Sequence, residues 1–366
     1  MISKATTIPF YAKSSIFLVG IIALVAILYI AQEIIVPIVF AIIIAILLSP
    51  VVNFFTRLKI NRIIAISFTL LLTFIIIAIV GMILISQASQ FSESWPILVD
   101  KFTTIINQSI TWASEYFDIN AAKIHAWILQ TKGEIIDSSG SAIGQTLLSL
   151  GNGLVVLFLI PVYVFMILFY QPLILDFIHK LFDSTDKIKV GEIVTQIKTV
   201  IQQYLTGLII EAIIVAVLDI GALLVLGIEY AVLLGIIGAL LNLIPYIGGL
   251  VAVALPMMVA IATESSPWYA LYVLILYYII QLIDNNYIVP IIVSSKVKIN
   301  ALFSVIVVIA GNALWGVSGM FLSIPLLAIT KLIFDHIESL KPWGFLFGDT
   351  MPSILKIKTI LRKKKA

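Results

Sequence analysis

Cysteine is absent from the 366 residues, so disulfides and thiol chemistry are excluded. Charge is scarce: Asp, Glu, Lys and Arg make up 11% of the chain, against about 25% in a soluble domain. Histidine is also rare. His125, His179 and His336 stand far apart, in no zinc-like spacing, so neither a metal site nor a cofactor is expected. The net charge of +3 gives no reason to invoke nucleic acid. No nucleophile elbow, HExxH, P-loop or GxGxxG stands in a suitable context, which argues against an enzyme and against an ATP-driven pump.

Apolar residues fill the space these absences leave. They form 61% of the chain, with a mean hydropathy of +1.17. Lipid must therefore be the solvent, and the expected fold is all-α and polytopic, spanning a bilayer. Lys4 and Lys13 before the run Ile16–Ala31 superficially fit a signal peptide. No small-residue cleavage pattern follows, and Gln32-Glu33 leads straight into a second apolar run, so residues 16–31 read as the first span.

A span needs about 20 apolar residues. Candidates are 14–32, 34–52, 63–86, 147–170, 205–227 and 269–290. Regions 230–262 and 300–333 are longer than one span and carry turn residues. Arg57, Lys59 and Arg62 after the second span, and Arg362 to Lys365 at the end, place both termini in the cytoplasm. The loop 87–146 is then outside, with amphipathic stripes (Phe91, Trp95, Leu98, Phe102, Ile105, Trp112) and Asn120 as a cap for a second helix. Segment 171–203 is inside, with a stripe through Ile193, Ile197 and Ile201. The organisation expected is 1–86 early spans, 87–146 external helical domain, 147–204 span plus cytoplasmic amphipathic helices, 205–334 transport core and 335–366 basic tail.

This topology forces residues 230–262 to enter and return on one side. Each arm has roughly 14 residues, about 21 Å of helix, against a core of about 30 Å. The turn contains Asn242, Pro245, Gly248 and Gly249, where proline removes a donor and glycine permits positive φ. Residues 300–333 enter and return on the other side, with a break among Gly311, Asn312, Gly316 and Gly319, followed by Pro325. A span plus a hairpin, repeated upside down, is an inverted repeat whose broken tips meet near the midplane. Alternatively, both regions are pairs of short tilted spans, since glycine and proline also serve packing in membranes.

Ionisable groups inside lipid cost at least about 2.5–3.5 kcal/mol on insertion scales. Glu211 and Asp219 lie within 205–227, and Asp284, Asn285 and Asn286 lie late in 269–290, with Gln281 one turn earlier. They are candidates to carry protons or coordinate a cation, with Asn242 and Asn312 hydrogen-bonding a solute. The bland alternatives are solvation of Asp284 and Glu211 at the interface, and snorkelling of Lys331.

The stretches YLTG (204–207), NLIPYIGG (242–249), DNNYIVP (284–290) and GNALWGVSGMFLSIP (311–325) resemble the autoinducer-2 exporter family of bacterial membrane transporters, over nearly the whole chain. That resemblance implies a homopentameric, elevator-like secondary transporter of the cytoplasmic membrane. Some relatives export autoinducer-2 and others exchange sodium or lithium for protons. The chain departs from the family pattern at Ser294–Ala301, where the usual proline entering the second hairpin is missing, and Asp219 matches no family motif. Three readings follow: an exporter of a small solute, a sodium(lithium)/proton antiporter, and a non-transporting membrane scaffold.

Overall fold

The computed structural model describes residues 9–117, 159–178, 180, 187–243, 248–264, 266–293 and 298–349. Among them the secondary structure is helical throughout, apart from one isolated bridge between Ile299 and Gly348. Among the described residues seven helices are long and apolar enough to cross a membrane. α1 (Phe10–Ile30) buries none of its residues, and side chains such as Phe17 and Ile22 are two-thirds exposed. A helix that is apolar all round and exposed all round has lipid for its solvent.

α2 (Gln32–Arg57) and α4 (Leu159–Ile178) are the second and fourth spans. α3 (Arg62–Phe117) differs from expectation: the 63–86 span does not end at a loop but runs on as one helix, through Pro96, to Phe117. Its start is capped by Asn61, whose Oδ1 accepts from the Ile63 N–H at 2.9 Å. Its C-terminal half packs through Phe91, against Trp95 and edge-on to Tyr230. The side chains of Leu98, Phe102 and Trp112, and the whole segment holding Asn120, lie outside the described residues. α5 (Lys187–Val225) likewise fuses the 193–201 stripe with the 205–227 span.

The chain divides into two compact units. The larger, residues 45–298, is built on α5, α6 (Ala231–Asn242), α7 (Gly248–Thr263) and α8 (Trp268–Ile283). α6 and α7 form the first hairpin. Their arms run antiparallel, with Gly238 beside Ala252 and Gly248 hard against Leu241. At 12 and 16 residues the arms are about 18 and 24 Å long. Leu223, Leu234, Val259, Val273 and Tyr277 form their shared core. α8 passes directly into a π-helical segment, Asp284–Val293, which contains Pro290. Gly207 of α5 lets this segment approach closely: a Cβ there would lie 2.7 Å from the Ile292 carbonyl oxygen.

The smaller unit comprises residues 1–44 and 299–366. Its centre is α9 (Ala301–His336), with α10 (Lys341–Phe347) beside it. The helical path of α9 breaks at Trp315 (φ −135°, ψ 19°) and Gly316 (φ 60°, ψ −142°) and nowhere else. There the chain folds back. A Cβ on Gly311 would lie 2.5 Å from the Gly319 carbonyl oxygen, and Ser323 Oγ donates across the arms to the Val307 carbonyl at 2.8 Å. Of the residues named as hairpin breaks, Gly316 is therefore the one at the bend. Gly311 and Gly319 are contact points within helical arms. Pro325 is buried, and the helical path continues through it although it has no N–H to donate. Gly249 sits inside α7; α6 ends at Asn242 and α7 begins at Gly248, and residues 244–247, Pro245 among them, lie outside the described residues. The proline missing before the second hairpin has a substitute: Asn300 Oδ1 accepts from the Leu302 N–H at 2.9 Å and caps α9.

Candidate functional site

The larger unit gathers three carboxylates from two elements. α5 positions Glu211 and Asp219 two turns apart, and the start of the π segment positions Asp284. Exposures are 5%, 2% and 2%, so the interface-solvation alternative fails for Glu211 and Asp284 as well as for Asp219. Asp284 lies within electrostatic reach of both of the others. Among the described residues no Lys, Arg or His pairs with any of the three. Nor do three His, Cys, Asp or Glu side chains converge to hold a metal ion.

Neutral partners take the place of cations. Asn242, the last residue of α6, donates from Nδ2 to Asp284 Oδ2 at 2.9 Å. This bond joins the end of the first hairpin arm to the π turn. Among the described residues Asp284 Oδ1 is buried with no hydrogen-bond partner, an orphaned acceptor of a kind that costs about 1–3 kcal/mol or more when charged. Asp219 is accommodated by Gly238: a Cβ there would stand 3.0 Å from Asp219 Oδ2 and 3.9 Å from the Tyr277 ring. Tyr277 carries its own buried, unpartnered hydroxyl. Tyr204, also buried, precedes Glu211 on α5 by about two turns. Neither tyrosine stands out in sequence as a site residue, since in an apolar helix a tyrosine looks like packing.

The remaining candidates divide. Gln281 approaches Gly249 through Oε1 and donates from Nε2 to Asn285 Oδ1 at 3.4 Å, so it sits between hairpin and site. Asn285 and Asn286 are exposed, and Asn286 Nδ2 is turned back onto the Leu282 carbonyl at 2.7 Å. Asn312 belongs to the smaller unit and is exposed. Lys331 is bonded to Asp335 at 2.6 Å, one turn on. A π turn at the junction of a span with such a site is a recurrent functional device, because the extra residue re-aims side chains.

Residues 18–339 match the model of the AI-2E family transporters. The chain is 32% identical to YueF of Bacillus subtilis over 117 residues, which is 32% of this chain but only 31% of that relative. It is 22% identical to YrrI of the same organism over 258 residues, covering 69% of this chain and 71% of YrrI. It is 27% identical to the AI-2 transport protein TqsA of Escherichia coli over 323 residues, covering 84% and 87% of the two chains. A polytopic helical chain with buried, cation-free carboxylates, matched over residues 18–339, belongs to the AI-2E transporter family.

Proposed function

We propose that this chain is a secondary transporter that exports a small polar solute through the bacterial cytoplasmic membrane, using the Glu211–Asp219–Asp284 cluster as its binding and coupling site. The observation that carries the reading is the 2.9 Å hydrogen bond from Asn242 to Asp284. It fastens a short hairpin arm onto a buried carboxylate by a single neutral donor. A solute offering its own donors competes for Asp284, frees the hairpin end and so links occupancy to opening. The named relative TqsA suggests autoinducer-2 as the first solute to test. In this reading the termini are cytoplasmic, the hairpins re-enter from opposite faces, residues 205–334 form the core, and five copies assemble as the family resemblance implies.

A second reading is favoured by the same carboxylates. Three buried acids without basic partners suit a sodium(lithium)/proton antiporter, where ion and proton alternate at one site.

Proteoliposomes decide between the two. Under the first reading, imposed proton or sodium gradients drive autoinducer-2 or another small metabolite outward, and Asn242→Ala slows that flux. Under the second, a sodium gradient moves protons with no solute present, and Asp284→Asn abolishes it. Solute flux that is unchanged by Asn242→Ala under every gradient overturns the proposed gate. Since the chain has no native cysteine, single introduced cysteines also map which face each hairpin reaches.

A further inference from the structure

The larger unit contains a second polar feature, separate from the carboxylates. A cavity of about 400 Å³ is lined by Ser49, Asn53, Phe54 and Arg57 of α2 and by Lys198 and Gln202 of α5, with Pro50 completing the wall. That volume lies in the range of about 300–1,000 Å³ usual for ligand sites. Ser49, Asn53 and Arg57 follow one another at four-residue intervals, as do Lys198 and Gln202, so each helix offers one stripe to the cavity.

The lining holds two cations and no acid. Among the described residues neither Arg57 nor Lys198 pairs with a carboxylate. Ser49 supplies an independent observation. It is 2% exposed, and its hydroxyl has no hydrogen-bond partner. Other hydroxyls in these long helices, at Thr69, Thr73, Thr263 and Thr330, bond back to the carbonyl four residues earlier. Ser49 does not, so a residue of the cavity wall keeps a buried donor with no partner among the described residues.

We infer that this cavity binds the phosphate of an anionic phospholipid. Arg57 and Lys198 neutralise the charge, Ser49 Oγ donates, and the amides of Asn53 and Gln202 complete the shell. A lipid fits better than free phosphate for a positional reason. Arg57 is the last residue of an apolar span, and Phe54 beside it is 59% exposed, a surface on which an acyl chain can lie. Lys198 and Gln202 also share α5 with Glu211 and Asp219, so the bound headgroup steadies the helix that carries the transport site.

The test is native mass spectrometry of the full-length protein, comparing retained phosphatidylglycerol with phosphatidylcholine. The expected result is retention of phosphatidylglycerol over phosphatidylcholine. In R57Q/K198Q that retention falls about thirtyfold, the effect of two cations at an anionic surface. R57K/K198R restores it, and S49A lowers it about threefold. If R57Q/K198Q is not recovered folded, R57Q and K198Q singly give the same reading at smaller amplitude. Equal retention of the two lipids, or retention unchanged in these variants, overturns the inference. Variant-sensitive stabilisation by inorganic phosphate, without preference for phosphatidylglycerol, overturns the lipid assignment in favour of a soluble anion.

Discussion

The first hairpin's arms stop at Asn242 and resume at Gly248, and Asn242 is bonded to a buried carboxylate. The second bends at Trp315 and Gly316 and is held by its own backbone: Gly311 against Gly319, with Ser323 Oγ bridging to the Val307 carbonyl. Its apical Trp315 donates from Nε1 to the Leu28 carbonyl of α1 at 3.0 Å, a mechanical anchor. Both devices solve one problem, how to reverse a helix where stray backbone polar groups are costly. They differ in what they expose. One hairpin brings a hydrogen-bond donor to a buried carboxylate, and the other keeps its side-chain hydrogen bond between its own arms; in both the arms approach so closely that only glycine fits, at Gly248 and at Gly319. The two reversals thus differ in their side-chain links: one reaches a buried carboxylate, the other only its own opposite arm.

Substitutions can break this contrast. The largest expected effect is on transport: Asp284→Asn removes the charge that Asn242 meets, and solute flux in proteoliposomes should fall about 10- to 100-fold, the weight of a charged hydrogen bond. Next comes Gly319→Ala, whose Cβ would collide with the Gly311 carbonyl. Thermal unfolding in detergent should register a loss of about 1–3 kcal/mol, as for overpacking. Gly316→Ala tests the bend alone, since open space surrounds that position and only its φ of +60° resists a side chain. A loss of similar or slightly smaller size, about 1–2 kcal/mol, is expected in the same assay. Ser323→Ala should cost about 1 kcal/mol through the lost inter-arm hydrogen bond, with flux per folded molecule unchanged. Were Ser323→Ala to abolish flux while leaving stability intact, the division of labour between the hairpins would be wrong.

Much of this was legible beforehand, for reasons particular residues make clear. Glu211, Asp219 and Asp284 stood out because a charge within an apolar run is expensive wherever it ends up. The second reversal was legible from its glycines, although Gly316 could not be separated from Gly311 or Gly319 without backbone angles. The continuation of α3 to Phe117 was not legible as such: polar residues after 86 looked like the end of a span, yet helical hydrogen bonding does not depend on side-chain polarity. The π turn at Asp284 gave no signal beyond Pro290, and Tyr204 and Tyr277 looked like ordinary packing.

The sequence by itself determined the solvent, the helices and the few places where polarity must be buried, because hydropathy and helical period are properties of neighbouring residues. Tertiary structure alone decided that Asn242 meets Asp284 across 42 residues, that Asp219 nests against Gly238, and that Ser49 keeps a free hydroxyl in a basic cavity. Such pairings depend on how closely two helices approach, which small residues permit but do not specify.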